Sequence, residues 1–226
     1  MPVLRCYRWS MRGTLLLDLD GTLTDPRPGI LGCIRFALER VDRAAPPESE
    51  LLGWIGPPLL RSFEELVGDR ELAQRCLAHY RERFAAVGYA ENAVYPGIPG
   101  ALESLRDDGW RLLLATSKPL VYARRILDHF DLARFIAEAY GAELDGRRSD
   151  KGELIAALLA AEGLAPCSCV MVGDRAHDVR GAASNAVPCL GVLYGYGSRE
   201  ELSEAGAVAL VAQPTDLPAA ALAQRV

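Results

Sequence analysis

The tightest constraint on this chain lies in the run Leu15-Leu16-Leu17-Asp18-Leu19-Asp20-Gly21-Thr22-Leu23-Thr24. A short apolar run of this kind reads as a buried strand. It stops abruptly at two carboxylates one residue apart, followed by a glycine and two hydroxyl residues. Burying carboxylates is costly unless a cation or a chemical task offsets the charge. The segment therefore predicts a carboxylate nucleophile at a strand tip with a second acid beside it.

The same grammar recurs downstream. Strand-like runs fall at 13–18, 111–115 (ending at Thr116), 136–140, 169–172 (ending at Gly173-Asp174), 189–193 and 207–211. Helical patterns fill the gaps at 98–108, 119–129, 151–162 and 178–185, with a final Ala-rich helix at 218–223. Strand alternating with helix predicts an α/β protein with a Rossmann-like parallel sheet and helices on both faces. Residues 28–90 break the pattern. Leu31, Ile34, Leu38 and Val41 recur at helical spacing, as do Phe63, Leu66 and Val67, and then Leu72, Cys76, Leu77, Tyr80 and Phe84. The expectation is an inserted α-helical cap domain at 27–92 in a core formed by 11–26 and 93–226. Pro26 and Pro28 mark one junction and Tyr95-Pro96-Gly97 the other.

A chain of 226 residues is long enough for one core with a small insert. Its net charge of −5, with no run of Lys or Arg, argues against a nucleic acid polymer or an anionic membrane as partner. No apolar stretch approaches the roughly 20 residues that span a bilayer. Residues 1–10 lack the apolar stretch of a signal peptide and are expected to be a poorly ordered extension. The six cysteines are irregularly spaced, and Cys167-Ser168-Cys169 fits neither a zinc knuckle nor a redox pair. They read as reduced structural thiols of a cytoplasmic protein.

In an open parallel sheet, ligands collect beyond the carboxyl ends of the strands. The residues expected on that rim are Asp18 and Asp20, then Thr116-Ser117-Lys118, then Asp174 with Asp178. Three or more acids in a small space call for a hard divalent cation. Oxygen-only donors favour Mg²⁺ over Zn²⁺. Each residue also has a plain structural alternative: Asp178 as a helix cap, Lys118 and Lys151 as solvated lysines, His177 as a loop residue.

Four ordered motifs resemble those of the haloacid dehalogenase-like (HAD) phosphatases, across nearly the whole chain. They are Asp18-Leu19-Asp20-Gly21-Thr22, the hydroxyl of Thr116 at a strand end, Lys151 at a helix start, and Gly173-Asp174-Arg175-Ala176-His177-Asp178. The resemblance implies Asp18 as nucleophile and Asp20 as acid–base. It implies Thr116 and Lys151 as further catalytic groups on the phosphoryl oxygens, with Gly21, Ser117 and Lys118 contacting substrate. Free N–H groups at Ser117 and Lys118, ahead of a helix starting near Pro119, would favour an anion. Mg²⁺ would be held by Asp18, the Asp20 carbonyl, Asp174 and Asp178.

The helical insert resembles the family's C1 cap, which would close over the site. Within it, Trp54-Ile55-Gly56-Pro57-Pro58-Leu59 and Arg61 are candidates to meet the substrate. The Tyr194–Ser198 glycine-rich loop should border the site. The chain looks most like phosphoglycolate phosphatase and its 5′-nucleotidase relatives, although Gly152 rather than Pro follows Lys151. The expected activity is Mg²⁺-dependent hydrolysis of a small phosphate monoester through a phospho-aspartate. A phosphosugar mutase would use the same acids, and a non-catalytic phospho-acceptor would share the acids, threonine and lysine. Oligomeric state is not legible.

Overall fold

A computed structural model of the chain describes residues 12–56 and 59–224. The expected extension at 1–10, and Pro57-Pro58 of the cap, lie outside the described residues.

In chain order the strands are β1 (Gly13–Leu17), β2 (Thr24–Asp25), β3 (Ala93–Val94), β4 (Trp110–Pro119), β5 (Glu138–Ala142), β6 (Cys169–Gly173), β7 (Cys189–Val192) and β8 (Ala209–Val211). The helices are α1 (Arg27–Glu39), α2 (Glu48–Leu51), α3 (Leu59–Val67), α4 (Arg70–Ala86), α5 (Ile98–Asp107), α6 (Leu120–His129), α7 (Lys151–Glu162), α8 (Ala176–Ala183), α9 (Arg199–Ala205) and α10 (Leu217–Ala223).

Six strands form one parallel sheet in the order β5-β4-β1-β6-β7-β8. Its centre explains the continuous apolar runs. Leu15, Leu17, Leu112, Leu114, Val170 and Val172 enter the hydrophobic core on one face. Leu16, Leu113, Ala115 and Met171 enter a second core on the other. A strand buried on both faces has no polar side to alternate with. Ile98, Leu102 and Leu105 of α5 and Ile126 of α6 cover the first face. Ile155 and Leu158 of α7 and Val179 of α8 cover the second.

Four differences from the sequence expectations have local causes. β4 runs on to Pro119, because its pairing with β5 shifts register between Thr116 and Pro119 and lets Ser117-Lys118 bulge out. The next strand begins at Glu138, after a 3₁₀ turn at Ala133–Phe135. α8 begins at Ala176, where the Asp178 carboxylate accepts the Arg175 N–H at 3.1 Å. Finally, β2 and β3 form a short antiparallel pair. Helices α1 to α4 are strung between these two strands, so the insert leaves and re-enters the core through adjacent backbone. Tyr95 N–H donates to the Leu23 carbonyl (3.2 Å) and Asn92 Nδ2 to Thr24 Oγ1 (3.3 Å) at this junction.

Within the insert, α1 packs on α4 through buried Ile34, Cys33, Cys76 and Phe84. Asp69 caps α4, accepting the Leu72 N–H at 2.6 Å. Among the described residues Cys33, Cys76, Cys169 and Cys189 are buried thiols, Cys167 is exposed, and no helix is long and apolar enough to cross a membrane.

Candidate active site

Because β1, β4 and β6 are adjacent and parallel, their carboxyl ends open on one rim. Asp18 follows β1 directly. Its backbone N–H is pinned to the Val172 carbonyl of β6 at 3.0 Å and its side chain is buried. Lys151 is the first residue of α7, whose start is fixed by Asp150 accepting the Glu153 N–H at 3.0 Å. Its ammonium lies 2.7 Å from Asp18 Oδ1, 2.8 Å from Asp178 Oδ1 and 2.9 Å from the Ala115 carbonyl. Two of these contacts are hydrogen bonds, to Asp18 and the Ala115 carbonyl, and the third is an ion pair with Asp178; the lysine side chain is 1% exposed. Burial opposes its charge, but Asp178 and Asp18 prevail and hold its pKa above the ordinary lysine value.

The three acids respond differently to one low-dielectric environment. Burial pushes Asp18 up despite the opposing charge of Lys151. Burial, reinforced by Asp178 and Asp18, pushes Asp174 well above the carboxylate range. Burial also acts on Asp178, but the Lys151 ammonium wins there and holds it below that range. Asp178 is therefore both the helix cap read from the sequence and an ion-pair partner of Lys151.

Asp174 sits in a cradle. Its Oδ2 accepts the Tyr196 N–H at 2.8 Å, and its Oδ1 is buried with no partner among the described residues. Gly21 has φ +86°, and a Cβ there would lie 2.1 Å from Asp174 Oδ2. A Cβ on Gly195 would lie 2.4 Å from Asp174 Cβ. Gly21 was expected to contact substrate. Its N–H instead donates to the Thr24 carbonyl at 2.8 Å, and its lack of a side chain leaves room for Asp174.

Asp18, Asp174 and Asp178 each offer one carboxylate oxygen, all within 4.8 Å of one another. An all-oxygen donor set with an orphaned buried carboxylate oxygen fits a hard divalent cation such as Mg²⁺.

Asp20 points elsewhere. Its Oδ2 meets Lys118 Nζ at 2.5 Å, and that ammonium stands 4.8 Å from the centre of the Phe84 ring on α4. Thr116 is buried, and its Oγ1 accepts the Lys118 N–H at 3.2 Å. That N–H is therefore not free for an anion, contrary to the sequence expectation; the bulge in β4 turns it back on Thr116. Ser117 lies on the cavity wall. Arg61 is also corrected. It sits on α3 with its side chain 79% exposed and paired to Glu65 at 2.8 Å, and it does not line the cavity.

A cavity of about 320 Å³ lies over the rim, between the strand ends and the insert. Tyr80 and Phe84 line it from α4 and Tyr122 from α6. A helical stripe that walls a cavity and one that fills a core look alike in sequence, so nothing marked these residues. Glu201 was also missed: it accepts the Ala176 N–H (2.8 Å) and the Arg175 Nε–H (2.9 Å), fixing the start of α8. Arg175 Nη1 also donates to the Ile55 carbonyl of the insert at 3.2 Å. His177 lines the cavity but is 3.7 Å from Asp178.

Comparison with known proteins agrees with this geometry. The chain is 51% identical over 189 residues to a 5′-nucleotidase from Pseudomonas aeruginosa, covering 83% of this chain and 86% of that protein. It is 39% identical over 183 residues to the tyrosine-protein kinase PtkA of Mycobacterium tuberculosis, covering 81% of this chain and 62% of PtkA. Phosphoglycolate phosphatases also match, at 25% and 30% identity in Psychrobacter arcticus and Caulobacter vibrioides. The crystal structure of a predicted phosphatase from Clostridium acetobutylicum superposes with a TM-score of 0.88 at 40% identity, covering 95% of this chain and all of that one. With residues 13–185 matching the family as a whole, the chain belongs to the haloacid dehalogenase-like hydrolases.

Proposed function

We propose that this protein is a Mg²⁺-dependent phosphatase that hydrolyses a small phosphate monoester through an aspartyl phosphate on Asp18. The observation that carries this reading is the buried Lys151 ammonium, held between Asp18 and Asp178 beside the half-satisfied carboxylate of Asp174. The phosphatase, nucleotidase and phosphoglycolate phosphatase relatives support the reaction class. The core at 11–26 and 93–226 would supply the chemistry and the cap at 27–92 would cover it. The irregular, largely buried cysteines favour a cytoplasmic setting.

Bound by Asp18, Asp174, Asp178 and the Asp20 carbonyl, Mg²⁺ would supply charge neutralisation for the phosphoryl group. The protein's own groups do the rest. An Asp18 carboxylate oxygen attacks phosphorus, and the bond from phosphorus to the leaving oxygen breaks. Asp20, oriented by Lys118, gives that oxygen its proton. In the second half Asp20 takes a proton from water, which attacks the same phosphorus and returns Asp18 as a carboxylate. Thr116 and Lys151 steady the phosphoryl oxygens in both halves.

The direct test is release of free phosphate from a panel of monoesters. Activity should vanish in excess EDTA and return with Mg²⁺; turnover that persists after exhaustive chelation would rule out the metal-dependent reading. Asp20→Ala should retain attack on an ester with a good leaving group but stall afterwards. A phosphorylated chain should then accumulate to a stoichiometric burst, visible by intact-mass spectrometry as the mass of one bound phosphoryl group. If hydrolysis by Asp20→Ala continued at the parent rate, Asp20 would not be the acid–base.

A further inference from the structure

Resting on the phosphatase reading, the geometry points to a substrate whose leaving group carries an aromatic ring, seated against the apolar wall of the cap, rather than a second anionic group. The cavity above Asp18 and Asp20 has two unlike ends. Its floor is the acid-and-lysine rim. Its roof and side wall are Trp54, Leu59, Leu60, Leu77, Tyr80 and Tyr122. Trp54 is fixed edge-on to Phe63, with ring centres 5.4 Å apart. Tyr80 stacks on Phe84 at 5.6 Å, and Phe84 meets Tyr122 edge-on at 5.1 Å. These rings hold one another in place, so the wall is formed before a ligand arrives and costs little ordering on binding.

The charges on the lining point the same way. A small diacid phosphate needs a cation for its second anionic group. Only three arginine or lysine side chains line the cavity among the described residues, and each is engaged. Lys118 is bonded to Asp20, Arg81 donates to the Leu144 carbonyl at 2.7 Å, and Arg175 is shared between Glu201 and the Ile55 carbonyl. The remaining charged groups on the upper lining are Glu143 and Asp145, both paired to Arg147, and they add no cation to the cavity. A second carboxylate or phosphate would have to share cations that already donate elsewhere, two of which, Lys118 and Arg175, are paired with acids. A planar ring would instead trade water for apolar contact.

The test uses the Mg²⁺-loaded enzyme with phenyl phosphate, adenosine 5′-monophosphate, 2-phosphoglycolate and glucose 6-phosphate. Values of kcat/KM come from free phosphate, and the same four compounds are titrated calorimetrically into the Asp18→Asn protein. At least one aromatic ester is expected to exceed both non-aromatic ones by tenfold or more in each measurement. A lead for the nucleotide would place a base and sugar in the cavity, and a lead for phenyl phosphate a bare ring. Trp54→Ala should raise KM for aromatic esters about fivefold more than it raises that for phosphoglycolate. Leu77→Arg should lower KM for phosphoglycolate about fivefold, a gain that a misfolded protein cannot deliver. Phosphoglycolate or glucose 6-phosphate equalling the better aromatic ester would overturn the inference and leave the phosphatase reading standing. Phosphate release from none of the four would overturn that reading instead, while the titration would still decide what the wall prefers.

Discussion

Replacing Asp18 with Asn should cut phosphate release by at least about 10⁴-fold, the scale seen when a covalent nucleophile is removed. The amide is close in size to the carboxylate, so the fold should survive. Lys151 keeps Asp178 and the Ala115 carbonyl as partners, and the Asp18 backbone remains tied to Val172. Burial opposes the charged form of Asp18, so neutralising it relieves one desolvation cost as it removes one ion pair. The expected protein is folded, with an unchanged far-ultraviolet spectrum and a melting temperature within a few degrees of the parent. It should also retain part of its Mg²⁺ affinity through Asp174 and Asp178. Phosphate release near the parent rate from a verified Asp18→Asn sample would take the nucleophile role away from this residue.

Lys151→Met should produce the largest stability effect. The substitution keeps the apolar stem and deletes the cation. Asp18 and Asp178 are then buried without their shared partner. Breaking one side of a buried ion pair costs roughly 3–5 kcal/mol, and turnover should fall by a further factor of about 10²–10³ through lost charge stabilisation. The pH dependence separates this cause from a packing defect. In the parent, Lys151 holds Asp178 below the usual carboxylate range. That contribution is fully present above the unfolded carboxyl pKa, about 3.9, and is lost as pH falls through the lowered folded value. In Lys151→Met there is no such contribution to lose. The gap in denaturation midpoint between the two proteins should therefore be wide at pH 7 and narrow below about pH 4. Millimolar Mg²⁺ should also narrow it by restoring positive charge beside the acids. A gap independent of both pH and Mg²⁺ would make Lys151 a packing residue.

Much of this architecture is legible in the sequence because its physical signals are strong and local. Leu15-Leu16-Leu17 and Cys169-Val170-Met171-Val172 announce central parallel strands, since both of their faces are buried. The rim residues announce themselves because acids rarely terminate such strands. What stays hidden has no local signal. The β2–β3 pair is two residues long on each side and carries no periodicity. The extension of β4 past Thr116 depends on a register shift against β5. The face of α3 on which Arg61 lies is set by packing of the cap, and its exposure follows from that packing rather than from its neighbours in sequence. Gly21 was noticed for the motif it belongs to, while its physical role depends on Asp174, which is 153 positions away in the chain and touches it only in three dimensions. Tyr80 and Phe84 marked the helix by their spacing, but nothing local showed that they also line a cavity.

The two-residue ribbon of β2 and β3 has an evolutionary corollary. Both strands of the polypeptide that carry the insert pass through one narrow doorway, while the reacting carboxylates and Lys151 belong to segments on the far side of it. Apart from the contacts of Phe84 with Lys118 and of Ile55 with Arg175, a lineage can therefore exchange or reshape the stretch between Arg27 and Glu91 while leaving the rim of Asp18, Asp174 and Lys151 as it stands.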